Sequence, residues 1–354
     1  MNLTDIFNAK AIALHRTEVA SNAIPYLGEG FFPVQKKMGL DLKWIKANKG
    51  LPVALAPSNF DAKSTLRARA GFKVEETEMP FFRESMLVKE KDEQEIMRVQ
   101  DANDPYALEV LNDIYNDVDT LVNAADVIPE LMRMQLLAPT VDGSPRITIT
   151  SGDVQYSYNY DPDETYQDNN YEALTSTDKW DDFDDSDPMG DILNALDTVE
   201  AATGVRPSIM LCNNSVMALL KKNDSIKSLI TNAGNLGVFI TNERINQLFQ
   251  TELGVTIVVY NKQYKDYSGD PQKFYPDNYI TLLPEGSLGN TWFGVTPEER
   301  TLMGSKTSDV AIVGGGVAVA VTVSEDPVNT KTTVSEIVLP SYERMDETYV
   351  IKVA

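Results

Sequence analysis

Residues able to do covalent chemistry are scarce in this chain, which has one His and one Cys among 354 residues. A nucleophile-base pair needs its base held by a rigid scaffold. His15 lies in the opening stretch MNLTDIFNAKAIALHRTEVA, where nothing rigid would hold it, so it reads as solvated or structural. Cys212 closes the apolar run PSIMLC beside Asn213 and reads as inert packing. A lone Cys excludes an intramolecular disulfide or a Cys-rich zinc centre and fits a reducing compartment. The chain contains no G-x-x-x-x-G-K-[ST], H-E-x-x-H, C-x-x-C or G-x-S-x-G motif. The run Gly314–Gly316 lacks dinucleotide-loop spacing and precedes a strand pattern, so it reads as a hinge or a close backbone approach. Two carboxylates would suffice for glycoside chemistry, but the pairing of distant ones is not visible in one sequence. The cluster Asp181, Asp182, Asp184, Asp185 and Asp187 offers oxygen ligands for a hard cation. It lacks the glycine of a calcium loop, so a solvated acidic linker is the first reading and a weak cation site the second. No cofactor and no metal are expected, and no enzyme.

Charge carries more information. The net charge is −22, with 31 Lys and Arg against 53 Asp and Glu. That balance argues against nucleic-acid binding over a broad face, which needs clustered cations. The distribution is uneven. Lys36 to Lys73 holds nine basic residues against Asp41 and Asp61, a local +7, which leaves −29 on the rest (22 basic against 51 acidic residues). Asp153 to Glu200 holds fifteen carboxylates and only Lys179. A basic segment in an acidic protein is drawn to its own surface or to another copy; two solvated faces without a role are the alternative. No run of about 18 apolar residues is present, so no membrane span is expected, and the N-terminus has no secretory signal pattern.

The elements that would position these charges follow from pattern. Residues 1–35 read as an arm, a short helical pattern giving way to NAIPYLGEGFFPV, whose Tyr26, Phe31 and Phe32 need a cover. Residues 36–85 read as a basic, extended excursion. Asp104 and Pro105 read as a helix start. Leu108, Leu111, Tyr115, Val118, Leu121, Val122 and Ala125 then recur at helical spacing. If this helix reaches Leu137 it is about 50 Å long. Pro129 is expected to kink or split it. PRITITSGDVQYSYNY reads as a hairpin. Asp187–Pro188 opens another helix that stops at Gly204, followed by an α/β alternation over about 190–285. VAVAVTV, TTVSEIVLP and TYVIKVA read as closing strands.

Five segments, in order, resemble the major capsid proteins of tailed bacteriophages, specifically the lambda-like major capsid protein E family. PYLGEGFFP is similar to the family's arm motif, with Pro25 and Tyr26 preceding Phe32 and Pro33. SNFDAKSTLRARAGFKVEETEMPFFRESMLVKEKDEQ resembles its extended loop and return strand, and DPYALEVLNDIYNDVDTLVNAADVIPELMRMQLLA its spine helix. FYPDNYITLLPEGSLGNTWFG resembles its Pro-Asp, Leu-Leu-Pro and Leu-Gly-x-x-x-x-Gly signature, and TVSEIVLPSYERMDETYVIKVA its terminal strand pair. One departure is that Ile128 and Pro129 stand where relatives usually carry charged residues.

The resemblance implies an α+β, Hong-Kong-97-like phage capsid fold. Mapped here, 1–35 is the N-terminal arm, 36–85 the extended loop, 86–187 the peripheral domain with a spine helix over about 105–137, 188–290 the axial α/β domain, and 291–354 the return to the peripheral domain. It implies a major capsid protein that assembles with itself into hexamers and pentamers of an icosahedral shell around the DNA, without sequence-specific binding. Assembly would take place in the host bacterial cytoplasm and the product would be the virion. No long segment precedes the arm, so a separate scaffolding protein is expected, with a portal protein and a decoration protein as further partners. Tyr26, Phe31, Phe32, Lys63, Arg67, Arg69 and Lys73 are the candidate inter-subunit residues, and Gly28, Gly30 and Pro129 the candidate hinges. A tail-tube or decoration protein, or an acidic carbohydrate-active enzyme, is the alternative.

Overall fold

The computed structural model describes residues 25–46, 73–88, 105–151, 154–231, 240–266, 268–302, 308–325 and 328–354, together with Ala9. In chain order, α1 (Gly28–Phe31) and β1 (Val34–Lys36) are followed by β2 (Asp41–Lys46), β3 (Lys73–Glu78) and β4 (Phe81–Val88). The long helix α2 (Pro105–Leu137) comes next and stays helical through Pro129, so the proline does not split it. After it come β5 (Arg146–Ser151), β6 (Val154–Asn159), α3 (Thr165–Asn170) and β7 (Tyr171–Ala173). The alternating stretch is α4 (Pro188–Thr203), β8 (Ile209–Cys212), α5 (Asn214–Lys222), α6 (Asp224–Ile230), α7 (Asn242–Glu252) and β9 (Thr256–Val259). The chain continues with β10 (Gln263–Lys265), β11 (Pro271–Lys273), β12 (Tyr279–Leu283) and β13 (Thr291–Phe293). It closes with β14 (Ser308–Val313), β15 (Val317–Glu325), β16 (Val328–Pro340) and β17 (Tyr349–Lys352). Asp104 and His15 lie outside the described residues.

The chain divides into two compact units. The first holds the described residues of Met1–Lys43, Glu76–Arg133 and Gly289–Ser341. Its framework is a sheet in the order β1-β13-β16-β15-β14, with β4 also on β16. Strand β16 is the spine of that sheet. One edge pairs antiparallel with β15, from Ala318↔Ser335 to Glu325↔Val328. The other edge is shared end to end by β4, up to Ile337↔Phe81, and β13, from Phe293↔Val338. β14 and β15 form a hairpin whose turn needs two residues at positive φ, met by Gly314 (φ 59) and Gly315 (φ 86). A Cβ on Gly316 would fall on the ring of Phe293, so bare backbone is required there. The glycine run is thus a hairpin turn and a close approach.

The second unit holds the described residues of Trp44–Glu75, Met134–Leu288 and Tyr342–Ala354. Its sheet runs β7-β17-β12-β8-β9, with β8 and β9 parallel and β12 antiparallel to β8. Parallel neighbours need a crossover, and α5 to α7 supply it. Ile192, Leu196, Val199, Met210, Val216, Leu220, Ile245, Phe249 and Ile280 form one buried core. Helix boundaries follow local chemistry. Asn213 accepts from the amides of Ser215 and Val216 at the start of α5, and Gly204 (φ 74) ends α4 in the left-handed region. The partition differs from the sequence reading in two places. Residues 134–187 fall with the α/β unit, and so does the C-terminal strand, because β17 pairs antiparallel with β12 and parallel with β7.

Candidate functional site

Among the described residues, no catalytic constellation is assembled. Cys212 is fully buried on β8, and burial pushes its thiol up to about 12, so it carries no thiolate at neutral pH. Among the described residues, no three His, Cys, Asp or Glu converge as a metal site. The acidic segment expected to be a linker is instead stitched to the α/β unit. Trp180 is fully buried, its amide donates to the Val353 carbonyl (2.8 Å), and its Nε1 donates to Asp191 Oδ2 (2.8 Å). Asn223 donates to Ser186 Oγ (2.8 Å). Ser176, Lys179, Asp181, Asp182, Phe183 and Asp184 line an open depression of about 650 Å³.

The residues expected to bear on assembly begin at the N-terminal segment. In the first unit α1 packs directly on α2. The Gly28 amide donates to Glu130 Oε1 (3.1 Å), and a Cβ on Gly28 would sit 2.6 Å from Glu130 Oε2. Only glycine permits that approach. β1 then pairs parallel with β13, Val34↔Thr291 to Lys36↔Phe293. Phe32 is fully buried and Phe31 is 8% exposed within their own chain. Of the two covers these rings could have, their own unit or an adjacent subunit, the backbone pairing of β1 brings them to the first. Tyr26 stays partly exposed. Gly28, expected as a hinge, is a clamped packing position, whereas nothing lies near a Cβ placed on Gly30.

A buried polar cluster holds this segment. Arg133 Nη1 donates to Glu130 Oε2 (3.3 Å) and Arg133 Nε to Thr291 Oγ1 (2.8 Å). Thr291 Oγ1 in turn donates to the Phe32 carbonyl (2.9 Å). The Glu130 and Arg133 side chains are 0% and 4% exposed. Burial lowers the guanidinium's pKa, and Glu130 opposes that shift. On the other face of β16, buried Glu298 accepts from Ser335 Oγ (2.7 Å) and pairs with Arg83 (2.8 Å). Sequence reading missed Glu130, Arg133 and Glu298. The first two did leave a signal, since a charged pair three residues apart sits inside the apolar stretch of the spine helix.

Of the basic excursion, Lys36 pairs with Glu299 of its own chain (2.7 Å) and Lys37 donates to the Asp41 carbonyl (2.8 Å). Lys63, Arg67 and Arg69 lie outside the described residues, and Lys73 is described only as the first residue of β3.

Two solved structures share this arrangement over nearly the whole chain. A phage-related protein from Bordetella bronchiseptica RB50 aligns with a TM-score of 0.58 at 15% identity, covering 98% of this chain and 97% of its own. A candidate capsid protein from a prophage of Escherichia coli CFT073 aligns with a TM-score of 0.56 at 14% identity, covering 98% and 99%. No curated protein sequence matches the chain. The fold is therefore the mixed helix-and-sheet, Hong-Kong-97-like fold of phage capsid subunits. The family model for phage major capsid protein E matches residues 14–353, and the chain belongs to that family. It is a major capsid protein of a tailed phage.

Proposed function

We propose that the chain builds its shell from hexamers and pentamers, each subunit contributing many modest contacts that closure of the lattice sums. The observation that carries this reading is the family match over residues 14–353. The basic excursion supplies the register. Lys63, Arg67, Arg69 and Lys73 lie over the acidic peripheral surface of a neighbouring subunit, and Tyr26 contributes at the arm. Individual exposed ion pairs contribute about 0–1 kcal/mol, so their weight comes from repetition around the shell. The assignment of 1–35 as arm and 36–85 as extended loop belongs to the same reading.

A separate scaffolding protein, a portal and a decoration protein are the partners, and assembly takes place in the host bacterial cytoplasm before the virion forms. The net charge of −22 suits a container that encloses DNA without adhering to it. The test is electron microscopy of the full-length chain expressed with a scaffolding protein from the same genome. Closed shells, or rings of six and five, are expected. A discrete small oligomer that never forms shells overturns the reading and favours a tail or decoration role.

A further inference from the structure

The sheet of the first unit ends in an open strand on either side. β4 pairs with β16 in an unbroken register, Thr330↔Val88 to Ile337↔Phe81, with no bulge. From Arg83 to Val88 its other edge has no strand partner among the described residues. β14, at the far side of the sheet, pairs only with β15 among the described residues. Elsewhere the fold covers its edges. β1 lies beside β13, and on β9, the edge of the second sheet, the Ile257 amide donates to Asn246 Oδ1 (2.8 Å) on α7. A long, regular edge is a template for another strand, and charges, bulges or prolines normally guard it. β4 carries neither bulge nor proline, and of its two charges Arg83 is drawn onto Glu298 (2.8 Å). Its Leu87 is 56% exposed. On β14, the Ala9 amide reaches the side chain of Asp309 (2.7 Å) and not the strand's backbone.

Register fixes which side chains a continued sheet brings together. Val310 pairs with Ala320, Ala320 with Thr333 and Thr333 with Ser85, so these four share one face. Ile312 and Leu87, two residues along their strands, lie on that same face, and Val310 and Ile312 are partly exposed. β14 and β4 are three antiparallel steps apart, so β14 of a copy in the same orientation meets β4 antiparallel. We propose that the open edge of β4 takes β14 of a second copy, so that the sheet continues from subunit to subunit. The register that sets Leu87 on Val310 also puts Met86 opposite Ala311, Ser85 opposite Ile312 and Glu84 opposite Val313. It leaves Asp309 beside Val88, away from Glu84. Two different edges meet, so the contact is heterologous, and its repetition closes a ring or runs on as a fibre. Main-chain hydrogen bonds supply the affinity and the apolar pairs the register. The inference rests on the chain assembling with itself, and is independent of the basic excursion.

Disulfide trapping in the full-length chain under assembly conditions tests it. Leu87→Cys combined with Val310→Cys places two thiols opposite each other across the join, within disulfide reach. The native Cys212 is buried and does not compete. Oxidation of the double variant should give a ladder of covalent oligomers on non-reducing denaturing gels, and each single variant should stay monomeric. Dimers of either single variant, or an assembled double variant without a ladder, overturn the proposal. Hydrogen exchange of the unsubstituted chain covers the case in which the cysteine variants fail to fold. In dilute subunits every second amide from Arg83 to Val88 should exchange fast, and on assembly that class should slow about tenfold or more. Edge amides already slow in dilute subunits, or still fast after assembly, overturn this proposal alone. A chain that never associates overturns both it and the shell reading.

Discussion

At the scale of single residues, the chain keeps its reactive group out of reach. Cys212 sits on β8 between β12 and β9, fully buried, with its thiol pushed up to about 12. Thiol reagents attack the thiolate, so both burial and pKa oppose reaction. Labelling of the native chain near pH 8 is expected to follow the rate of opening of the α/β unit, and to become rapid only in denaturant. Prompt stoichiometric labelling without denaturant would contradict the buried assignment. Cys212 could be read in advance because an apolar strand run predicts a buried thiol. Glu130 and Arg133 were legible only as a charged pair three residues apart, because their further partners, the Gly28 amide and Thr291, stand more than a hundred positions away and only the fold brings them together. The cover of Phe31 and Phe32 escapes sequence reading for the same reason. Their size demands a cover, but nothing local states whether that cover is β13 of the same chain or another subunit.

At the scale of elements, periodicity and capping residues made most of the frame legible. The apolar spacing from Leu108 to Ala125 marks α2, Gly204 marks the end of α4, and the alternation of PSIMLC and VTIVVY with helices marks the α/β unit. What pattern could not give was pairing. The strands β1 and β7 are three residues each and join parallel to β13 and β17, too short for a period-two signal. The C-terminal strand reads locally like its predecessors, yet its backbone partner is β12. Pro129 is the element-scale puzzle, buried yet inside a continuous helix. It forfeits one helical hydrogen bond, and proline in a helix interior costs about 3 kcal/mol relative to alanine. Burial of its ring returns roughly half of that. Pro129→Ala is therefore expected to raise subunit stability by about 1–2 kcal/mol in urea unfolding, with no change in fold. If Pro129 is retained as a bending point during shell maturation, the same variant should form particles that convert more slowly. A destabilised variant would show that ring packing outweighs the lost hydrogen bond.

At the scale of the whole molecule, two electrostatic effects oppose each other. A net charge of −22 makes subunits repel at long range, while the +7 segment from Lys36 to Lys73 is proposed to attract the acidic surface of a neighbour at short range. Salt separates the two, because the Debye length falls from about 10 Å at 0.1 M to about 3 Å at 1 M. Reversing Arg67 and Arg69 to Glu adds four units of negative charge where the attraction is proposed, and leaves the described cores untouched. At low ionic strength the double variant should give fewer particles than the unsubstituted chain, with unchanged subunit melting temperature. As salt rises the deficit should shrink, because the added repulsion is screened along with the lost attraction. Particle counts by electron microscopy across a salt series measure this directly. A deficit that stays constant with salt would assign these arginines a role in shape or hydrogen bonding, and no deficit at any salt would remove the basic loop from the assembly contact altogether.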